Sequence, residues 1–229
     1  LSATGSVYLI NTQGVIVSRT GRVNTGGGFF ASSRDQSDSD FLNNKRKFSG
    51  TSKGNVVNEG HIRSANGDVA LIGHAVSNSG TLSAKNGTAS LNAANHVLLR
   101  PEGSPILIRG GLGDASNSGT ITAAQAQQNA AGGNGYPLAG NNDGIIRATG
   151  TQTRDGHVWL TSNTGNTSIA GRVVARNADG AGGTGEATAA KRTGKTGAHI
   201  DASAAKPGGN GGIVNVIATG TTRMAGTNA

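Results

Sequence analysis

The stretch VVNEGHIRSANGDVALIGHA (56–75) runs directly into VSNSGTLSAKNGTASL (76–91), and the second copy repeats the first at an offset of twenty residues. Asn58, Gly60, Ile62, Gly67 and Leu71 return as Asn78, Gly80, Leu82, Gly87 and Leu91, and Val56 returns as Val76. Self-similarity at a fixed period is the mark of a stacked-repeat architecture. Within one copy the spaced residues sit on even positions (Val56, Ile62, Ser64), switch to odd ones (Gly67, Val69, Leu71), and return to even at Val76. Strand side chains alternate faces with period two, so each change of parity marks a corner. The reading is a coil of short strands around an apolar interior.

The same phrases recur along the chain with different spacers. Gly-x-Val-x-Leu appears at 5–9 and 156–160, with a Val-ended version at 212–216. Asn-x-Gly-x-Ile recurs at 117–121 and 142–146, and Gly171, Val173 and Ala175 follow the pattern of Gly80, Leu82 and Ala84. These are turns of one coil separated by insertions, which a solenoid accepts because each leaves and returns at a corner. Asn58 and Asn78, one turn apart, are placed to stack as an amide ladder that satisfies its own hydrogen bonds.

Composition alone leaves a disordered chain as open as a coil, since so much glycine could equally suggest disorder, and it is the periodicity that argues for order. Of 229 residues, 39 are glycine, 3% are aromatic and none is cysteine, too few large side chains for a compact globular core. A parallel coil needs only a few Val, Ile, Leu and Ala per turn, because stacking completes the burial. Roughly ten turns at about 4.8 Å would make a rod on the order of 45 to 50 Å. No apolar run is long enough to cross a membrane as a helix. The expected class is all-β: one right-handed parallel β-helix over 1–229, with an extra-helical hairpin or sheet and inserted loops.

All four phenylalanines fall between Phe29 and Phe48, outside the clear repeat, so 29–50 reads as an extra-helical insertion anchored by Phe29, Phe30, Phe41 and Phe48. Two further stretches, 123–142 and 177–197, read as inserted loops. The formal charge is +8, with clusters at Lys45, Arg46 and Lys47 and at Lys191, Arg192 and Lys195. Both lie where the repeat is absent. They read as solvated loop or, more sharply, as a patch for an anionic glycan or lipopolysaccharide; without interleaved aromatics they do not suit nucleic acid.

The first hundred residues, taken together, resemble the secretion domain of two-partner secretion exoproteins, the filamentous-haemagglutinin-like family. The resemblance is carried by 5–11, the turn from Asn11 to Val15, 22–24, Phe41, 48–50 and the turns from Asn58 to Leu99. It implies a secretion-domain-like part over 1–100 and a degenerate β-helical continuation over 101–229. It also implies export through a partner outer-membrane transporter, with localisation outside or on the surface of a Gram-negative cell. The family's Asn-Pro-Asn-Gly-Ile turn corresponds to Asn11-Thr12-Gln13-Gly14-Val15, so Asn11 and Gly14 carry over as the transporter-recognition turn. Its cap and earlier Asn-Pro-Asn-Leu motif are expected ahead of Leu1, and without them the open coil edge invites self-association.

No catalytic, metal or cofactor constellation is legible. Asp35, Asp38 and Asp40 form the one acidic cluster, and the five histidines are scattered, with His74 and His96 about one turn apart. The expected function is a noncatalytic, adhesin-like exoprotein segment serving its own export, with glycans or host surfaces as further partners. The alternatives are a β-helical carbohydrate-active enzyme, which would need clustered carboxylates on one face, and a self-assembling fibre module.

Overall fold

The structure is a computed structural model that describes residues 1–100, 104–132, 140–189, 191–194 and 198–224. The chain winds through three strand positions per turn, and all pairing within the coil is parallel. The first face stacks Ser2–Ala3, Arg22–Thr25, His61–Ser64, Thr81–Ala93, Thr120–Ala130, Ile145–Ala148, Arg172–Ala175 and His199–Asp201. The second stacks Val7–Ile10, Phe29–Ser32, Val69–Gly73, the later halves of the two long strands, His157–Ser162, Thr184–Ala189 and Ile213–Ala218. The third is an 8-stranded sheet from Gly14–Val17 to Thr222–Met224. The coil is a right-handed parallel β-helix, the hand that right-twisted parallel strands take when they cross over. Eight turns at about 4.8 Å per step span about 34 Å, shorter than the ten-turn rod expected from the sequence.

The interior follows the parity read from 56–91. Val23, Ile62, Leu82, Ile121, Ile146 and Val173 form one buried column under the first face. Val69 stacks on Ala89 and Leu71 on Leu91 under the second face, at the twenty-residue offset of the repeat. On the third face Asn58, Asn78, Asn117 and Asn142 make the expected amide ladder. Each Nδ2 donates to the next Oδ1, at 2.7, 2.7 and 2.9 Å. Apolar residues bound it at both ends, Val17 below Asn58 and Ile169 above Asn142. The corner glycines are a consequence of close stacking: a Cβ on Gly80 would run into the Gly60 carbonyl.

Three sequence expectations need correction. Phe29–Ser32 is a coil strand, paired with Val7–Ile10 below and Val69–Gly73 above, so the excursion begins at Ser33 rather than Phe29. The 123–142 stretch is coil as far as Ala130 and again from Gly140; of what lies between, 133–139 falls outside the described residues. Within 177–197 the strands Thr184–Ala189 and Lys191–Gly194 belong to the second and third faces. These segments are rich in Ala, Gln, Gly and Thr and have weak strand propensity of their own. A finished edge supplies the backbone partners, and small interior residues such as Ala126, Ala130 and Ala187 fit the narrow lumen.

The extra-helical sheet is assembled from two separate turns. One excursion, 33–54, carries the short helix Asp38–Leu42 and the strand Lys47–Ser49; the other, 94–114, carries His96–Leu98 and Leu107–Arg109. The three strands pair antiparallel with His96–Leu98 in the middle. Their inner side covers the outward residues of the second face. Phe30, Ala70 and Ile72 there meet Phe48, Ala94, Val97, Leu99 and Ile106 in a second core, distinct from the coil interior.

Candidate functional site

The turn from Asn11 to Gly14 links the second and third faces in the first turn of the coil. Gly14 N–H donates to the Asn11 carbonyl at 2.9 Å, closing a four-residue turn, and the Asn11 Oδ1 accepts from Gln13 N–H at 3.0 Å. That side-chain turn presets the backbone locally, the task a proline would perform at position 12. Gly14 is required on two grounds. Its φ is +119°, and a Cβ there would lie 2.6 Å from the Asn55 carbonyl oxygen. Asn11 N–H donates to Ser32 O at 2.9 Å, and the Ser52 hydroxyl donates to the Thr12 carbonyl. The turn is therefore fastened to the next coil turn and to the returning limb of the 33–54 excursion. Asn11, Thr12 and Gln13 are exposed, and Thr12 and Gln13 line a shallow hollow with Ser52, Lys53 and Gly54. The lining offers carbonyls, an amide and one lysine.

The extra-helical sheet stands beside this turn and is locked by a residue the sequence gives no reason to single out. Arg34 is fully buried and donates Nε to Ala94 O at 2.6 Å, Nη1 to Ser52 O, and Nη2 to Asn95 Oδ1 at 3.4 Å. It thus clamps both excursions together through neutral acceptors, and burial lowers its pKa from the ordinary arginine value. A lone arginine in a Ser-rich segment looks solvated; only the closing of two distant excursions buries it.

The Lys45–Lys47 cluster divides by role. Arg46 lies over the Phe30 ring, 5.0 Å from its centroid, and its Nη1 is 2.7 Å from Asp68 Oδ2. Lys45 and Lys47 are exposed. Lys191 and Arg192 fall in the third-face strand Lys191–Gly194, far along the coil; their side chains, and Lys195, lie outside the described residues. Among the described residues, the backbone of Lys191 and Arg192 belongs to the seventh turn of the coil and Lys45–Lys47 to the excursion of the second. Of the four phenylalanines, Phe29 is inside the coil, Phe30 and Phe48 are in the second core, and Phe41 is 52% exposed with its ring edge on Tyr8.

Asp38 and Asp40 occupy the first turn of the short helix, capped by Ser37, and Asp35 accepts from Gln36 N–H. Among the described residues no group of three or more His, Cys, Asp or Glu is placed to hold a metal ion. His96 sits in the extra-helical sheet opposite Ser49 and Arg109, while His74 lies at a coil corner beside Asp114, so the two do not stack. The strongest perturbations lie late in the chain. Burial lowers His157, stacked on Trp159 at 3.5 Å, to about 4, with Asp155 pulling the other way. Hydrogen bonds from the Ser203 hydroxyl and amide, then Arg176 and Arg172, lower Asp201 to about 2 against the opposing effect of burial.

The crystal structure of the HMW1 secretion domain from Haemophilus influenzae is similar to this chain, with a TM-score of 0.53 and 17% sequence identity. The match covers 97% of this chain and 82% of that one. At that identity the likeness establishes the fold. No family model and no curated protein matches the sequence.

Proposed function

We propose that this chain is a secretion domain of the two-partner type: a noncatalytic β-helical platform exported through a dedicated outer-membrane transporter and carried to the outside or surface of a Gram-negative cell. The whole-length likeness to a solved secretion domain is the observation that carries the reading. The exposed Asn11–Gly14 turn, fastened to Ser32 and Ser52, supports it as the element a transporter reads. The coil suits vectorial export physically. Each new turn pairs with a finished edge through contacts local in space, so folding outside the cell can proceed without ATP. In the same reading the coil acts as an adhesin-like scaffold, presenting what it carries to glycans or host surfaces.

Export is measured directly by producing the full chain in a Gram-negative host with and without a cognate transporter and following it in the medium. Transporter-dependent appearance outside the cell is expected. Asn11→Ala should lower the exported fraction several-fold while the purified chain keeps its unfolding midpoint within a few degrees, since an exposed turn bond is worth about 0.5–1.5 kcal/mol. Equal release without any transporter would overturn the reading.

A further inference from the structure

The register of the first face gathers residues that the sequence keeps up to 177 positions apart. Outward of the buried column, Arg22, His61, Thr81, Thr120, Ile145, Arg172 and His199 stack in one line. Beside it run Asn24, Arg63, Ser83, Thr122, Arg147, Val174 and Asp201. Alternation forces this arrangement, because Val23, Ile62, Leu82, Ile121, Ile146 and Val173 take the inward positions.

Each line carries two arginines, Arg22 and Arg172 in the first and Arg63 and Arg147 in the second. Arg22, Arg63 and Arg147 are exposed, and Arg172 is 49% exposed. The one carboxylate within the lines is Asp201, held by Arg172, Arg176 and Ser203. At the adjoining corner are Glu59, 3.9 Å from Arg19, and the exposed Asp143; exposed Lys85 follows Ser83 along the same strand. Arginine outnumbers its acidic neighbours here. Between the basic ends, Thr81, Ser83, Thr120 and Thr122 present half-buried hydroxyls.

We propose that this face binds a linear uronic-acid polysaccharide laid along the coil axis. Three features select that occupant. The charges form a line, since Arg63 and Arg147 stand three turns, about 14 Å, apart and Arg22 and Arg172 five turns, about 24 Å, apart. Guanidinium forks match carboxylates in a planar, two-point geometry, and the hydroxyls between them can donate to and accept from sugar hydroxyls. The side chains also project from hydrogen-bonded strands, so little backbone freedom is lost on binding. Neither line contains a Phe, Tyr or Trp, and the only rings, the imidazoles of His61 and His199, stand five turns of the register apart, which disfavours a continuous base-stacking platform. Ile145 is the one exposed large apolar residue in the two lines, too little for a lipid surface. The surface is separate from the Lys45–Lys47 and Lys191–Lys195 clusters, and the inference rests on strand register, independent of export.

The test uses the purified full chain and polygalacturonate at low ionic strength, with neutral dextran, duplex DNA and anionic phospholipid vesicles as comparisons. Wild type should bind polygalacturonate, less tightly as salt rises, and in preference to all three comparisons. Arg63→Gln with Arg147→Gln should weaken binding about tenfold, whereas Lys45→Gln with Lys47→Gln, the same change in net charge, should alter it less than twofold. Circular dichroism of both pairs should match wild type, the altered side chains being exposed. Absence of wild-type binding, equal loss in the two pairs, or DNA or vesicles bound as tightly as polygalacturonate would each overturn the proposal.

Discussion

In the second and fourth turns the chain leaves the coil between the second and third faces, and the two excursions pair with each other over a common apolar patch. In the sixth, seventh and eighth turns it leaves between the first and second faces, at 149–156, 176–183 and 202–212, and neighbouring excursions stack as the turns do. Gly182 N–H donates to Asn210 O at 2.9 Å, Ala205 N–H to Gly180 O at 2.7 Å, and Arg176 Nε to Ser203 O at 3.2 Å. The coil interior is continuous through both halves: Phe29, Ile62, Leu71, Leu82 and Leu91 fill the early turns, and Ile121, Ile146, Leu160, Ile169 and Val173 the later ones. What differs lies outside it. The early turns add a second apolar core under the extra-helical sheet, and the later turns add hydrogen bonds between stacked excursions.

The largest effect is expected where the two cores of the early half meet. Phe30→Ala removes a fully buried ring that stacks on Tyr8 at 4.5 Å and seats Arg46. It should cost about 3–5 kcal/mol in denaturant unfolding. A loss under 1 kcal/mol would mean that the extra-helical sheet contributes little to the early half.

The amide ladder sharpens the comparison within one column. Asn78 both donates to Asn117 and accepts from Asn58, so Asn78→Ala leaves the Asn58 amide with only its 3.4 Å bonds to Gly60 O and Thr81 O, takes the ladder donor from the Asn117 carbonyl, and should cost about 2–4 kcal/mol. Asn142 only accepts, and its Nδ2 has no protein partner. Asn142→Ala should therefore cost about 1–2 kcal/mol, and equal losses at the two positions would show that the amides do not act as a chain.

Much of this was legible in the sequence and some was not, for identifiable reasons. The twenty-residue offset of 56–91 places Val76 over Val56 and Asn78 over Asn58 correctly, because those turns connect without excursions. Phe29–Ser32 was misassigned because the residues around it break the period, although its pairing with Val69–Gly73 is as regular as any other. The strands of 123–130 and 184–189 carry Ala, Gln and Thr, whose strand formation depends on the edge beneath them. Of the candidate site, the Asn11–Gly14 turn is readable from its residues, and its selection as a site rests on the family resemblance. Arg34 is not readable, since its three acceptors come from segments up to 61 residues away.

The later half should also show a pH dependence. His157 takes its proton at about 4 when folded, against about 6.5 when unfolded. The unfolded chain binds more protons between those values, so stability should fall as pH drops from about 6.5 to about 4 and level off below, a slope that His157→Gln removes. Asp201, lowered to about 2, contributes stability present above about 4 and lost as pH falls through 2. A titration of unfolding midpoint against pH in wild type and His157→Gln checks both windows.

Register is most directly tested by a crosslink, since the chain has no cysteine of its own. Ser77 and Ser116 face each other on adjacent third-face strands, at the roughly 4.8 Å step of the coil, within reach of a disulfide. Ser77→Cys with Ser116→Cys should close a bond under mild oxidation, the oxidant taking up two electrons and two protons, read as the loss of two hydrogen masses in the folded protein. Ser77→Cys with Ser118→Cys, displaced by two residues to roughly 8 Å, should stay reduced. Failure of the first pair, or equal oxidation of the second, would contradict the stacked, in-register coil.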